Sequence, residues 1–386
     1  MVEHTERHIV LFRDGLGHGV AQMLHCVAGL RVSESLDHDG SVSAYHLPTG
    51  EALLFRCLGA GIVHGDPDQL VALHGKSWGG SFSIEAERSV QITQFATDTA
   101  LPSEAQDTWG LQTTGVTQSQ FSGRGVRVAI LDTGLDLEHP DFAGRSITSR
   151  SFVSRESVDD MNGHGTYCVG VACGPVVPKQ PPRYGVAGDA EIYIGKIIAN
   201  NGSGADGDIL AGIDWAARSG CAVASLSVGT PVARGEPHSP IYEQVAQRAL
   251  AAGTLVIAAA GNGSLRPDCV APVDHPANCP SILAISAVDA YLRIAPFSSG
   301  GINADGGEID LAAPGVAIRS SWPRPNLYRT DSGTSMAVPY VAGIAALLAE
   351  ANPSARGAEL RALITKGARP LTLPARDVGS GLIQAP

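Results

Sequence analysis

Two regimes of hydrophobic patterning divide the chain. From residue 108 onward, short apolar runs over 126–131, 191–198, 222–228, 254–260 and 281–288 alternate with stretches of helical spacing. The runs are of strand length, and near-continuous rather than alternating hydrophobicity marks strands covered on both faces. Helices are predicted over 208–219, stopped by Gly220, and from Ser239 and Pro240 to a stop at Gly253. Pro at a first helical position and Gly past the last are the usual asymmetry of helix ends. The apolar stretch 338–348 and the segment 354–367 supply two more helices. Strands alternating with helices in this way predict an α/β fold with a doubly wound, mostly parallel sheet.

The first part of the chain follows a different order. Strands are predicted over 7–12, 30–34, 52–57 and 83–90, and helices over 19–28 and 67–73. The order β-α-β-β-α-β is the split pattern of a small α+β, ferredoxin-like domain. Residues 1–94 therefore read as a separate module, 95–107 as a linker without periodicity, and 108–386 as the larger domain.

Composition narrows the function. The 386 residues are 44% hydrophobic, enough for a large core, and the net charge of −11 argues against nucleic acid as a partner. No run reaches the roughly 18 apolar residues of a membrane helix, so no membrane partner is expected. The polar start Met1-Val2-Glu3-His4 passes directly into a strand pattern, so the expectation is a cytoplasmic protein, or a secreted one if a leader precedes it. The seven cysteines lack framework spacing. Cys269 and Cys279 flank a Pro-rich loop and are either free thiols or a loop-closing disulfide.

Candidate chemistry sits at the ends of the predicted elements. The strand over 126–131 stops at Asp132-Thr133-Gly134, and Asn162-Gly163-His164-Gly165-Thr166 precedes a small-residue helical stretch. The run 257–260 ends in Gly261-Asn262-Gly263, and Gly333-Thr334-Ser335-Met336-Ala337-Val338-Pro339 opens the long apolar helix. A serine at a helix start has free N–H groups around it, which suits a developing oxyanion. An imidazole supplies the base that makes a hydroxyl nucleophilic at neutral pH, and a carboxylate fixes the imidazole's tautomer.

These motifs, in the order Asp, His, Asn, Ser, resemble the subtilisin-like serine protease (subtilase) family. The resemblance implies Asp132, His164 and Ser335 as a triad and Asn262 as oxyanion donor. It also implies that Ser227, Val228 and Gly229 line one side of the primary pocket and Ala259, Ala260 and Gly261 the other. Gly202, Ser203 and Gly204, after Asn201, would pair with a peptide substrate. Tyr167 and Tyr340 stand where the family usually carries His. Residues 1–94 are similar to the family's inhibitory propeptide, which makes the chain's own N-terminal domain a partner beside a protein or peptide substrate. Two alternatives share the site: a transpeptidase or peptide cyclase using the same acyl-enzyme, and an inactive peptide-binding pseudo-protease.

The chemistry requires no cofactor, and structural calcium is possible. Asp136, Asp141, Asp159, Asp160, Asp206 and Asp208 are either oxygen ligands or solvated loop carboxylates; the stretch 172–178 lacks the family's ligand pattern, and no metal-binding residue is assigned. Alignment places Asp274 at the pocket floor, where a carboxylate would select Lys or Arg, unless it turns into a loop hydrogen bond. No Lys or Arg occurs from Ser89 to Gly123, so a basic-selective pocket could not release the N-terminal domain within the linker. An apolar pocket would allow self-cleavage at a residue such as Phe95.

Overall fold

The computed structural model describes residues 4–17, 19–35, 47–77, 80–92 and 106–386. The chain begins with β1 (His4–Phe12), α1 (Val20–Ala28), β2 (Arg31–Glu34), β3 (Glu51–Phe55), β4 (Ala60–His64), α2 (Pro67–Ser77) and β5 (Phe82–Gln91). Four of these strands lie in the order β3-β4-β1-β5, all antiparallel, with β2 added parallel to β3 at the edge. The split pattern is thus present with one strand more than the sequence suggested. The strand expected over 52–57 ends at Phe55, and β4 was not foreseen. Apolar Leu58 inside the turn disguises the break that Gly59 makes with its φ of 57°.

The larger part adds α3 (Trp109–Thr113), β6 (Arg127–Asp132), β7 (Ile147–Ser151), α4 (His164–Cys173), β8 (Glu191–Lys196), β9 (Ser203–Ala205), α5 (Asp206–Arg218) and β10 (Val223–Leu226). It continues with α6 (Pro240–Ala251), β11 (Leu255–Ala259), β12 (Leu283–Val288), β13 (Leu311–Pro314), β14 (Ile318–Ser321), β15 (Tyr328–Asp331), α7 (Thr334–Ala351), α8 (Ala358–Gly367) and α9 (Ala375–Val378). Seven strands form a sheet in the order β13-β12-β11-β10-β6-β8-β7, with every pairing parallel. From β6 the chain fills one side with β7 and β8, then crosses to the other with β10. The crevice at the carboxyl ends of β6 and β10 is therefore the switch point at which open α/β sheets place their chemistry.

The sheet is covered on both faces, as its continuous apolar strands require. Ile130, Ile192, Ile257 and Ile285 pack into one core with α4, α7 and α8. Leu131, Leu226 and Ala258 face α5 and α6 on the other. α7 is long and apolar enough to span a membrane, contrary to the expectation that no run qualifies, but 89% of it is buried in this core.

The N-terminal sheet is buried on both faces too. Val10, Phe12, Leu54 and Val63 pack under α1 and α2 with Leu24 and Leu73. The alternate residues Ile9, Leu11, Leu53, Phe55 and Ile62 join the core that contains α5 and α6. Polar contacts fix this docking. Arg248 of α6 donates to the carbonyls of Leu58 (2.7 Å), Gly59 (2.9 Å), Phe12 (2.6 Å) and Arg13 (3.0 Å). Asp214 of α5 accepts from Ser35 Oγ and the Cys57 N–H, each at 3.0 Å. Glu87 accepts from the Gly207 N–H at 2.8 Å, at the start of α5, and pairs with buried Arg7 at 2.7 Å. Glu85 accepts from Ser239 Oγ at 2.6 Å, where α6 begins.

Because Arg248 alone serves four carbonyls across this seam, Arg248→Ala should destabilise the protein by about 1.5–3 kcal/mol, the range for hydrogen bonds to a charged group. Thermal unfolding should show a lower Tm, and Arg248→Lys should recover only part of the loss, because one ammonium cannot reproduce the planar fork. An unchanged Tm in Arg248→Ala would contradict this account of the seam.

Candidate active site

β6 delivers Asp132 at its carboxyl end, and α4 begins with His164. His164 Nδ1 and Asp132 Oδ1 lie 2.8 Å apart, and the same oxygen accepts the Thr133 N–H at 2.7 Å. Both side chains are buried. Burial by itself would pull the imidazole pKa down, but the Asp132 carboxylate, with Cys168 beside it, outweighs this and holds it well above the ordinary histidine value. His164 Nε2 is buried without a hydrogen-bond partner among the described residues. Beneath the strand end, buried Lys196 donates to the Thr133 carbonyl and to Asn200 Oδ1.

The start of α4 is held by Asp160. Its Oδ1 accepts from Thr133 Oγ1 (2.8 Å), Gly163 N–H (2.8 Å) and Asn162 N–H (3.1 Å), and its Oδ2 from Thr166 N–H (2.8 Å) and Oγ1 (2.7 Å). A carboxylate at a helix N-terminus also meets the positive end of the helix dipole. The approach of α4 to β6 is tight: a Cβ on Gly165 would lie 2.2 Å from the Gly134 carbonyl oxygen.

Ser335 lies in the first turn of α7. Its hydroxyl donates to the Ser227 carbonyl at 3.0 Å, and Ser227 Oγ donates to the Ser335 carbonyl at 3.0 Å. Cys168 Sγ lies 3.8 Å from both His164 Nδ1 and the Ser335 carbonyl, so α4 and α7 meet at this point. Asn262 follows β11. Its Oδ1 accepts the Thr334 N–H and Oγ1, each at 2.9 Å, which turns the amide nitrogen to the opposite side. Asp132, His164, Ser335 and Asn262 thus gather at the switch-point crevice. The sequence reading did not single out Thr334 or Cys168, and it placed Asp160 among calcium candidates.

The strand residues of the cleft are already paired. β5 lies antiparallel to β9, with Ser89, Val90 and Gln91 opposite Ala205, Gly204 and Ser203. On its other side Gln91 exchanges hydrogen bonds with Gly229, at 3.2 and 3.1 Å, and the Ile92 N–H donates to the Gly202 carbonyl at 3.2 Å. The N-terminal chain therefore runs as a strand between Gly202-Ser203-Gly204 and Ser227-Val228-Gly229. The linker expected over 95–107 lies outside the described residues except for Gln106 and Asp107.

Ala259, Ala260 and Gly261 lie across from Ser227-Val228-Gly229, and Asp274 stands between the two walls. A Cβ on Gly261 would fall 2.3 Å from Asp274 Oδ2, and one on Gly229 would fall 3.1 Å from Asp274 Cβ. The Asp274 N–H donates to the Ala260 carbonyl at 2.9 Å. Its carboxylate receives no hydrogen bond from the described residues, so the alternative of a loop hydrogen bond is set aside. Burial pushes its pKa up to about 7.

The carboxylates considered for calcium mostly point at protein donors. Asp136 pairs with Arg324 at 3.0 Å, Asp141 accepts from Lys179 N–H, Tyr184 and Tyr328, and Asp159 accepts from Ser157. Asp206 accepts from the Arg88 N–H and faces His275 Nε2 at 3.2 Å, and Asp208 is buried in the first turn of α5. Among the described residues no three of them converge; the one cluster of three is Asp132, His164 and Cys168 itself. Cys269 is exposed, Cys279 buried, and both are free thiols.

Since five donors depend on Asp160, Asp160→Ala should lower stability by about 3 kcal/mol or more, each buried donor left unpaired costing about 1–3 kcal/mol. A urea midpoint shift equivalent to under about 1 kcal/mol would contradict that role.

Comparison with known proteins agrees with this geometry. The Peptidase_S8 pattern, described as the subtilase family, matches residues 123–381. Subtilisin Savinase of Lederbergia lenta is 36% identical over 281 residues, covering 72% of this chain and 96% of that protein. M-protease of Shouchella clausii (strain KSM-K16) is 36% identical over 281 residues, covering 72% of this chain and 68% of that protein. Among solved structures, sphericase superposes with a TM-score of 0.63 at 27% identity, covering 74% of this chain and 99% of that one. With the family match running from before Asp132 to beyond Ser335, on a fold shared with a solved relative, the chain belongs to the subtilase family.

Proposed function

We propose that this protein is a serine endopeptidase that cleaves peptide bonds through an acyl-enzyme on Ser335. The observation that carries the reading is the buried Asp132–His164 hydrogen bond of 2.8 Å, which leaves the opposite ring nitrogen, Nε2, without a partner among the described residues. Asp132 holds the proton on Nδ1, so that Nε2 is the basic nitrogen. The Ser335 hydroxyl turns from the Ser227 carbonyl toward Nε2, gives up its proton as the oxygen attacks the scissile carbonyl, and His164 then returns that proton to the leaving amine. Charge on the tetrahedral oxygen is met by the Ser335 N–H at the start of α7 and by the Asn262 amide. Water completes the cycle by the same route in reverse.

Substrate peptide is bound as a strand between Gly202-Ser203-Gly204 and Ser227-Val228-Gly229, with the side chain before the cleaved bond entering the pocket between Val228 and Ala259-Ala260-Gly261. The strand at 89–92 supports this reading, because it makes in cis the contacts a substrate would make in trans. We infer that residues 1–94 act as an inhibitory and folding-assisting domain, 95–107 as linker and 108–386 as the catalytic domain. The protein names M-protease and subtilisin among the relatives fit a protein or peptide substrate.

Ser335→Ala should reduce casein hydrolysis to background while leaving Tm close to that of the parent, since one hydroxyl is removed and the α7 packing is kept. Hydrolysis retained above background would overturn the assignment, and ligated or cyclised peptides in place of hydrolysed ones would redirect it to aminolysis.

A further inference from the structure

Peptide hydrolysis by Ser335 makes no use of Asp274, yet this acid stands between the two walls of the cleft. We propose that Asp274 is the specificity-determining residue of the primary pocket and selects substrates with Lys or Arg before the cleaved bond. The proposal rests on the reading of this cleft as a protease site. Its Oδ2 occupies the space a side chain at Gly261 would fill, and its Cβ lies against Gly229. Only 5% of the residue is exposed. Asp160 is engaged by five donors and Asp141 by three, whereas the Asp274 carboxylate accepts nothing from the described residues.

A buried carboxylate without donors is costly, and a ligand that brings its own cationic donor relieves that cost. An ammonium or guanidinium does so with a charge-assisted hydrogen bond, while an apolar side chain would leave the acid desolvated and unpaired. A metal ion is the poorer fit, because Asp274 joins no cluster of three ligating side chains among the described residues. No Lys or Arg occurs between Ser89 and Gly123, so a pocket of this preference has no cognate side chain to cut after in that stretch.

The selectivity carries a pH signature. Burial pushes the Asp274 carboxyl up to about 7, and no charged group contributes to that shift. The adjacent His275 ring faces Asp206 at 3.2 Å and stacks edge-on with Tyr242. Above that pKa the pocket is anionic and favours cations; below it the carboxyl is neutral and the preference fades.

The test uses the full-length chain and four internally quenched peptides that differ only in Lys, Arg, Phe or Leu before the cleaved bond. Occlusion by the N-terminal strand and titration of His164 scale all four rates alike, so each ratio of kcat/KM isolates the pocket. Lys or Arg should exceed Phe by about tenfold or more at about pH 8.5, and the ratio should fall as pH drops through about 7. Asp274→Asn should lose most of the ratio and its pH dependence, and the parent's pH profile decides the matter if that variant does not fold. Fluorophosphonate labelling with a preference for Phe or Leu at every pH would overturn the role of Asp274 alone. No labelling and no cleavage of any peptide, in the parent and in Arg248→Ala with its loosened seam, would overturn the protease reading with it.

Discussion

A single buried hydrogen bond, Asp132 to His164, sets the terms for the rest of the structure. A carboxylate and an imidazole taken out of water are tolerable while they hold each other, since removing either would leave the other's charge uncompensated in the core. The bond requires the end of β6 and the start of α4 to stay in fixed register. Asp160 supplies that register by gathering donors from both, the Thr133 hydroxyl beside β6 and the N–H groups of Gly163 and Thr166 on α4. The parallel sheet supplies the scale, because its buried strands run in one direction and their polar turns follow the carboxyl ends together. Ser227 after β10 and Asn262 after β11 arrive at the crevice for the same reason as Asp132.

The second organising contact is the addition of β5 to β9. Backbone pairing draws the N-terminal sheet across the cleft, and the apolar residues on its inner face then share a core with α5 and α6. Acidic side chains on that strand finish the helix starts: Glu87 meets the first turn of α5 and Glu85 meets Ser239 at the start of α6. Neither part is complete at this seam alone. The larger part would expose an apolar helix layer, and the smaller would expose one full face of its sheet.

Much of this was legible in the sequence because the decisive signals are local. Asp132, His164, Asn262 and Ser335 each stand at an abrupt change from apolar run to small polar turn, and such changes mark element ends. The unbroken run Ile9-Val10-Leu11-Phe12 is the pattern of a strand covered on both faces, though a pattern cannot name what covers the second face. β4 escaped because Leu58 carries the apolar run through its turn. Asp160 was legible as a residue but not in its role, whereas Asp274 was expected at the pocket floor with its hydrogen bonding left open. The donors to Asp160 come from positions scattered between Thr133 and Thr166, and the isolation of Asp274 follows from three chain segments meeting around it.

The most direct measurement of the central claim is the site of covalent labelling by a fluorophosphonate, read by intact mass and peptide mapping of the full-length protein. The reagent needs a hydroxyl activated by the His164–Asp132 pair, with oxyanion donors in place. One adduct, on Ser335, and its loss in His164→Ala is the result predicted here. No adduct in the parent or in Arg248→Ala, whose loosened seam frees the cleft, or an adduct on another residue that persists in His164→Ala, would contradict it.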